Sequence, residues 1–455
     1  MFSRSAFLPE LRALLSVAAP LAAANLAQMA LGVTNTVMIG HLGGAQLAAA
    51  GLGGGFYFTM LTICQGMLSA VAPLAAHAIG AGDRRVAGRI ALSGVALTAL
   101  LSPPLVLGLT QLESLLHLLG YDPALAGQVG AFLRAIAWGA PASLGFAVAR
   151  SFLAATGHAR AVMLVLVLSI PTNAALNWAL IFGHFGLPAW GVVGAGRAIA
   201  IDQWLIFGLI AAHTTLARNL AAYRAAPAGA AAALRDIRDI LVLGWPIGGI
   251  LGLEIGVFVT TNVVMGLLGT DALGAHQIVS NCSGLTFMVP LGIGQAATVR
   301  VAIRLGAGEP AAARRAWFLA LALGIAFMSG AAILLWSAPR AMIAIYLDIA
   351  DPDNRGMAAI AMQLIAVAAL FQVFDGVQTI AAGALRGYKD TAAPLVLAAI
   401  GYWAIGFAGG LLFAFPLHQG AVGLWRGLAL GLGAVALLLT LRLAERARYA
   451  GTAAA

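Results

Sequence analysis

The chain has 455 residues, of which 62% are hydrophobic and only 9% charged, with a mean hydropathy of +0.96. A soluble domain carries roughly 25% charged residues, so this composition excludes an ordinary soluble protein and defines a polytopic membrane protein. The net charge of +9 does not point to nucleic acid, because the arginines sit in short loops and no basic stripe with interleaved aromatics is present.

Apolar runs long enough to cross a hydrocarbon core as helices recur along the whole chain. No alternation of period two suggests a barrel, so the expected class is all-α. Twelve spans are predicted, near 12–38, 46–78, 87–110, 127–149, 161–183, 190–214, 239–267, 272–300, 315–338, 357–384, 393–415 and 421–441. The first follows Arg12 and runs straight into a full span, which does not read as a cleavable leader. The expected organisation is an N-terminal lobe of six spans over 1–214 and a cytoplasmic linker over 215–238 that contains Pro227. A C-terminal lobe of six spans over 239–448 and a disordered tail over 449–455 complete it.

The two halves repeat. At an offset of 226, Pro20 falls on Pro246, and Gly40, Leu42 and Gly43 fall on Gly266, Leu268 and Gly269. Gly66 falls on Gly292, and Gly80, Ala81 and Gly82 on Gly306, Ala307 and Gly308, with no gap. At 229, Gly191, Val193, Gly194 and Arg197 match Gly420, Val422, Gly423 and Arg426. A tandem duplication of this kind is a common plan among transporters.

Charge sets the expected topology. One side collects Arg4, Arg12, Arg84, Arg85, Arg89, Arg150, Arg160, the linker arginines, Arg300, Arg304, Arg314, Arg315, Arg386, Lys389 and the three last arginines. The other side has Arg340 and Arg355. The positive-inside rule places the rich side, and both termini, in the cytoplasm. An even number of spans per half makes the repeats parallel.

Three acids fall near mid-span: Asp202 in the sixth, Glu254 in the seventh and Asp375 in the tenth. A carboxylate at the bilayer centre costs about 2.5–3.5 kcal/mol on insertion scales, and it survives there only when paired, facing a cavity, or protonated. Pairing with Arg134, Arg197 or Arg426 is the structural alternative to function, and Arg197 lies about a turn and a half from Asp202. Glu254 corresponds to Gln28 in the first repeat and Asp375 to the stretch around Gly145, so the acids are no scaffold inherited from the duplication. Asn173 and Asn177 share one helix face. With Asn35 they form either a ligand site or hydrogen-bonding glue between helices. His41, His77 and His276 lack other ligands at metal-binding spacing. Cys64 and Cys282 lie in apolar segments and read as inert small residues. Phe56, Tyr57, Phe58 and the methionines read mostly as packing. No P-loop, HExxH, GxSxG or Asp-rich diphosphate cluster occurs, which argues against an enzyme or an ATP-driven pump.

The stretches TNTVMIGHLGGAQLAA, GWPIGGILGLE, ALGAHQIVSN, MVPLGIGQAATVRV and FQVFDGVQTIAAGALRGYKDTAAP resemble the multidrug and toxic-compound extrusion (MATE) family, and within it the bacterial NorM type. The resemblance spans essentially the whole chain. It implies two pseudo-symmetric six-helix lobes forming a V, alternating access, and export of cationic or amphipathic drugs in exchange for Na⁺ or H⁺. The family's span 7 glutamate matches Glu254 and its span 10 aspartate matches Asp375, which implies a cation-coupling site in the C-terminal lobe. The family's span 1 motif DTxMxG reads here Asn35-Thr36-Val37-Met38-Ile39-Gly40, without its acid. Phe371 stands where NorM-like members often have Tyr.

The expected function is therefore a multidrug antiporter of the cytoplasmic membrane. It works as a monomer in the lipid bilayer, without cofactor, and Na⁺ and H⁺ remain equal candidates for the coupling ion. Asn35, Asn173, Asn177 and Asp202 form a candidate second site, in which Asp202 replaces the lost span 1 acid. The alternative is a flippase of lipid-linked precursors, which is expected to line its cavity with several basic residues.

Overall fold

In a computed structural model the chain is described over residues 4–224 and 229–452, and among these it is helical with no strand. Among the described residues eleven helices are long and apolar enough to cross a membrane. In order they are Phe7–Gly40 (span 1), Gly44–Gly80 (span 2), Arg84–Leu118 (span 3), Ala159–Phe182 (span 5) and Gly191–Leu216 (span 6). Then come Ala230–Leu267 (span 7), Thr270–Gly306 (span 8), Pro310–Ser337 (span 9), Pro352–Gly387 (span 10), Ala392–Ala414 (span 11) and Gly420–Gly451 (span 12). Span 4 is a pair, Pro123–Ala137 and Ala140–Ala155, bent by 46° at its break. The break falls at Trp138-Gly139, just ahead of Pro141. Glycine and proline in sequence weaken the helical ladder there.

Over 215–238, expected to be a partly helical linker, span 6 runs to Leu216, a 3₁₀ segment covers Arg218–Tyr223, and span 7 begins at Ala230. Pro227 lies outside the described residues. The final helix continues to Thr452, so the tail expected to be disordered from 449 is helical that far, and 453–455 lie outside the described residues. Arginines and glutamate at 442–448 carry the helix beyond its apolar stretch, because these residue types are good helix formers in water.

The duplication is visible in the backbone. Gly43 and Gly269, 226 apart, both have positive φ (104° and 118°) at the entry to spans 2 and 8. Gly82 and Gly308 repeat this at 83° and 72° before spans 3 and 9. Only glycine adopts these conformations without strain, so the turns kept their glycines while the helices between them diverged.

The chain divides into two compact units. One holds the residues up to Ala23 together with Gly249 onward, and the other holds Ala24–Gly248. The boundaries thus fall inside spans 1 and 7, a few residues past the repeat-related Pro20 and Pro246, and not at the 215–238 segment. In the first unit span 10 packs against spans 8, 9 and 12, and Phe371 and Trp425 are its largest fully buried side chains. In the second, Leu68, Leu97, Leu133 and Leu144 anchor the interior.

Each unit holds its borrowed half-helix at two levels. Small residues allow close approach: Gly292 of span 8 lies against Ala22, and Gly248 of span 7 lies against Ile63. Nearer the arginine-rich ends, buried acids 226 residues apart make ion pairs. Glu10, 3% exposed, accepts from Arg300 at 2.8 and 2.9 Å and from Arg304 at 2.7 and 3.2 Å. Asp236 accepts from Arg89 at 2.8 and 3.3 Å and from the Ser93 hydroxyl at 3.3 Å. The acid is repeated and the arginine partner is not, since Arg89 is on span 3 and Arg300 and Arg304 are on span 8.

Spans 11 and 12 meet through glycine. A Cβ on Gly427 would lie 2.2 Å from backbone atoms of Gly410, and one on Gly431 would lie 2.5 Å from Gly401 O and Gly406 Cα. Backbone cannot yield as a flexible side chain does, so Gly427→Val is expected to abolish folded, monodisperse protein, as fluorescence-detected size exclusion would show. Gly409→Ala, on an open face of span 11, is expected to behave as wild type.

Candidate ion-coupling sites

Span 10 brings Asp375 into the interior of the first unit, where it is 7% exposed. The Gln378 amide, one turn on, donates to Asp375 Oδ1 at 3.0 Å. The Tyr402 hydroxyl in turn donates to Gln378 Oε1 at 2.7 Å. Glu254 lies with Val257, Phe258, Tyr402, Leu428 and Leu432 around a cavity roughly the size of one water. Tyr402 therefore joins the two acids, lining the Glu254 cavity and reaching Asp375 through Gln378. Glu254 and Asp375 act on one another electrostatically, and the half-buried Arg386 acts on Glu254. The Arg386 Nε is buried without a hydrogen-bond partner.

The local fold explains how Tyr402 arrives there. Span 11 passes through a π-helical stretch over Ile400–Phe407, between the α-helical pieces Ala392–Ala399 and Ala408–Ala414. The wider turn rotates the side chains that follow it, and such insertions often mark functional positions. It presents Tyr402 to Gln378, and its neighbour Trp403 donates to Leu253 O at 3.3 Å, beside Glu254. Phe371 packs edge-on to Phe258 at 6.4 Å and against Trp425 at 5.3 Å, so this position offers the site a ring and no oxygen. Buried Gln372 accepts from Thr286 at 2.6 Å, while its Nε2 has no partner.

The second unit gathers the four residues that the sequence grouped. Asn177 Nδ2 donates to Asn35 Oδ1 at 2.8 Å and is shared with Asn173 Oδ1 at 3.1 Å. Asn173 Nδ2 reaches Asp202 Oδ2 at 3.5 Å. Asn173, Asn177 and Asp202 are all 2% exposed or less. Asp202 Oδ1 and Asn177 Oδ1 are buried acceptors without a donor. Leaving such an atom unsatisfied costs about 1–3 kcal/mol.

The arginines distribute differently from expectation. Arg197 does not meet Asp202: its guanidinium lies 4.1 Å from the centre of the Trp190 ring. Arg134 pairs with Glu113, and Arg426 donates to Gln419 at 2.8 Å. The half-buried Arg150, grouped with the loop arginines from sequence, instead donates to Asn25 and, at 2.9 Å, to Gln28. Gln28 is the repeat counterpart of Glu254, so both units set a basic group near that position. Trp425 donates to His276 at 3.0 Å, which places this histidine in a helix contact.

Repeated halves of membrane-crossing helices, each with buried polar side chains in its interior, define a polytopic carrier-type membrane protein. The MatE family signature matches the chain twice, over residues 20–179 and 246–412, and the two matches begin 226 residues apart. The chain is 44% identical over 428 residues to the multidrug resistance protein NorM of Burkholderia vietnamiensis, covering 94% of this chain and 92% of that one. It is 38% identical to a probable multidrug resistance protein NorM of Pseudomonas aeruginosa, covering 95% and 89%. The fold matches that of the eukaryotic MATE transporter AtDTX14 with a TM-score of 0.87 at 23% identity, over 99% of this chain and 100% of that one. The chain belongs to the MatE family, a family of transporters and not of enzymes.

Proposed function

We propose that this protein exports cationic or amphipathic small molecules across the cytoplasmic membrane by alternating access, in exchange for inward Na⁺ or H⁺. The carrying observation is the pair Glu254 and Asp375 inside one packed unit, linked through Gln378 and Tyr402 around a cavity of ionic size. Ion binding there favours one access state and the substrate favours the other, which is the differential affinity any ligand-driven switch requires. The names of the NorM relatives, multidrug resistance proteins, support export of drugs. The protein works as a monomer without cofactor, with two six-span lobes and both termini in the cytoplasm, the side marked by its arginines.

The precursor-flippase alternative expects several basic residues along its cavity, and half-buried Arg150 and Arg386 would count toward it. Arg134, Arg197 and Arg426 would not: they lie exposed and are engaged by Glu113, Trp190 and Gln419. The discriminating experiment is ethidium efflux from proteoliposomes under an imposed Na⁺ or pH gradient. Efflux under one gradient supports antiport and names the ion. Absence of efflux under both returns the flippase.

Asp202 serves as the N-terminal lobe's acid in place of the one missing at Asn35. Its unsatisfied Oδ1, one hydrogen bond from the Asn35–Asn177–Asn173 chain, supports this role. Asp202→Asn is expected to flatten the pH profile of efflux, with a rate loss on the order of tenfold at the wild-type optimum, or about 1.4 kcal/mol. Normal transport by this variant over the full pH range would remove Asp202 from the mechanism.

A further inference from the structure

The second unit has another concavity, away from its polar cluster. It lies between the start of span 3, the end of span 4, the end of span 6 and the 218–224 segment, and has a volume of about 360 Å³. That is within the range of small-molecule sites. Leu92, Val95, Val148, Phe152 and Phe207 line it. Thr214 and Thr215 also face it, but their hydroxyls donate to Ala211 O at 2.8 Å, so the wall offers an apolar surface.

Its mouth is basic. Tyr223 stands edge-on to Phe152 at 5.8 Å, and the Arg84 guanidinium lies 5.9 Å from the centre of the Tyr223 ring. Arg224 is hooked to the mouth by one Nη2 bond to Thr215 O. Arg84 and Arg224 are exposed, and among the described residues neither has a carboxylate within 4.0 Å. The adjacent Asp83 is turned to cap the helix, accepting from Val86 N at 3.0 Å. Arg89, further along the same helix, has its acid in Asp236.

An apolar slot lined by Arg224, with the Arg84 guanidinium over its Tyr223, fits an alkyl chain joined to an anionic head such as a phosphate. Guanidinium presents planar paired donors suited to phosphate oxygens. Basic pockets between spanning helices hold anionic lipid headgroups. A cationic amphiphile would meet like charge at the mouth. We propose that this groove seats one acyl chain of an anionic phospholipid from the surrounding leaflet, with its phosphate held by Arg224 and Arg84. The bound lipid ties the 218–224 segment to spans 3 and 6. It is a structural ligand, independent of the transport reading.

The test uses the full chain in phosphatidylcholine nanodiscs with phosphatidylglycerol added stepwise, following unfolding temperature and lipid retained in native mass spectrometry. Wild type is expected to gain roughly 2–4 °C and to retain one phosphatidylglycerol. Arg84→Gln/Arg224→Gln is expected to lose both effects while keeping its phosphatidylcholine baseline. Ala211→Trp, which fills the slot and leaves both arginines, is expected to lose the retained lipid. Equal gains in wild type and the arginine variant would overturn the proposal. So would a gain reproduced by free glycerol phosphate, displacement of the lipid by ethidium, or no retained lipid in wild type.

Discussion

Glu254→Gln and Asp375→Asn are each expected to lower gradient-driven ethidium efflux by on the order of 10²-fold, and the double variant to abolish it. A hundredfold is about 2.7 kcal/mol of lost differential ion binding, within reach of removing one charged ligand from a buried site. The amide substitutions suit the question because an amide oxygen at position 375 would still accept from Gln378, so folding is kept while the charge goes. Tyr402→Phe removes the donor to Gln378 Oε1 and leaves both acids, so a smaller loss, about tenfold, is expected. Ethidium binding should persist in the three single variants, measured by fluorescence polarisation. An acid variant that keeps more than half the wild-type efflux rate under both gradients would place coupling elsewhere, with Asp202 the next candidate.

Glu10→Gln is expected to destabilise the protein by on the order of 3 kcal/mol. Breaking a buried ion pair costs about 3–5 kcal/mol because the remaining charge stays desolvated. Here two arginines are left, partly open to water at 15% and 32% side-chain exposure, which reduces the cost. Asp236→Asn should cost less, since its single partner Arg89 is 32% exposed and Ser93 can still donate. The two acids share no hydrogen-bond partner, so the losses should add in the double variant. Thermal unfolding in one detergent checks the order. Unchanged midpoints for both variants would mean that these pairs do not hold the borrowed half-helices.

The spans were legible because membrane helices announce themselves through apolar length alone. The repeat was legible because its turns need positive φ, and Gly43, Gly82, Gly269 and Gly308 could not be exchanged. The four polar residues of the second unit group together because Asn173 and Asn177 share a face. Asp202 and Arg197 do not pair because five residues of helix turn through about 140°, putting them on different faces. What stayed hidden depended on geometry that spacing does not encode. The π-helical stretch in span 11 has no strong sequence mark, so nothing in the sequence singles out Tyr402 and Trp403. Gln378 sits within the FQVFDGVQTI motif, one turn after Asp375, and that spacing was a usable signal. Arg150 and Arg386 stand near polar segments and read as loop residues, yet both helices carry their side chains partly inward. Glu10 and Asp236 also lie at the 226 offset, and that coincidence was the available sign that each terminates a repeat-related helix.

The most direct measurement is ion movement driven by drug. Proteoliposomes with an imposed ethidium gradient and no ion gradient would be followed for ²²Na⁺ uptake and for internal pH. The account predicts that one of the two ions moves against the drug in wild type, and that neither moves in Glu254→Gln/Asp375→Asn. Ethidium movement with no accompanying ion, or ion movement that survives in the double variant, would contradict it.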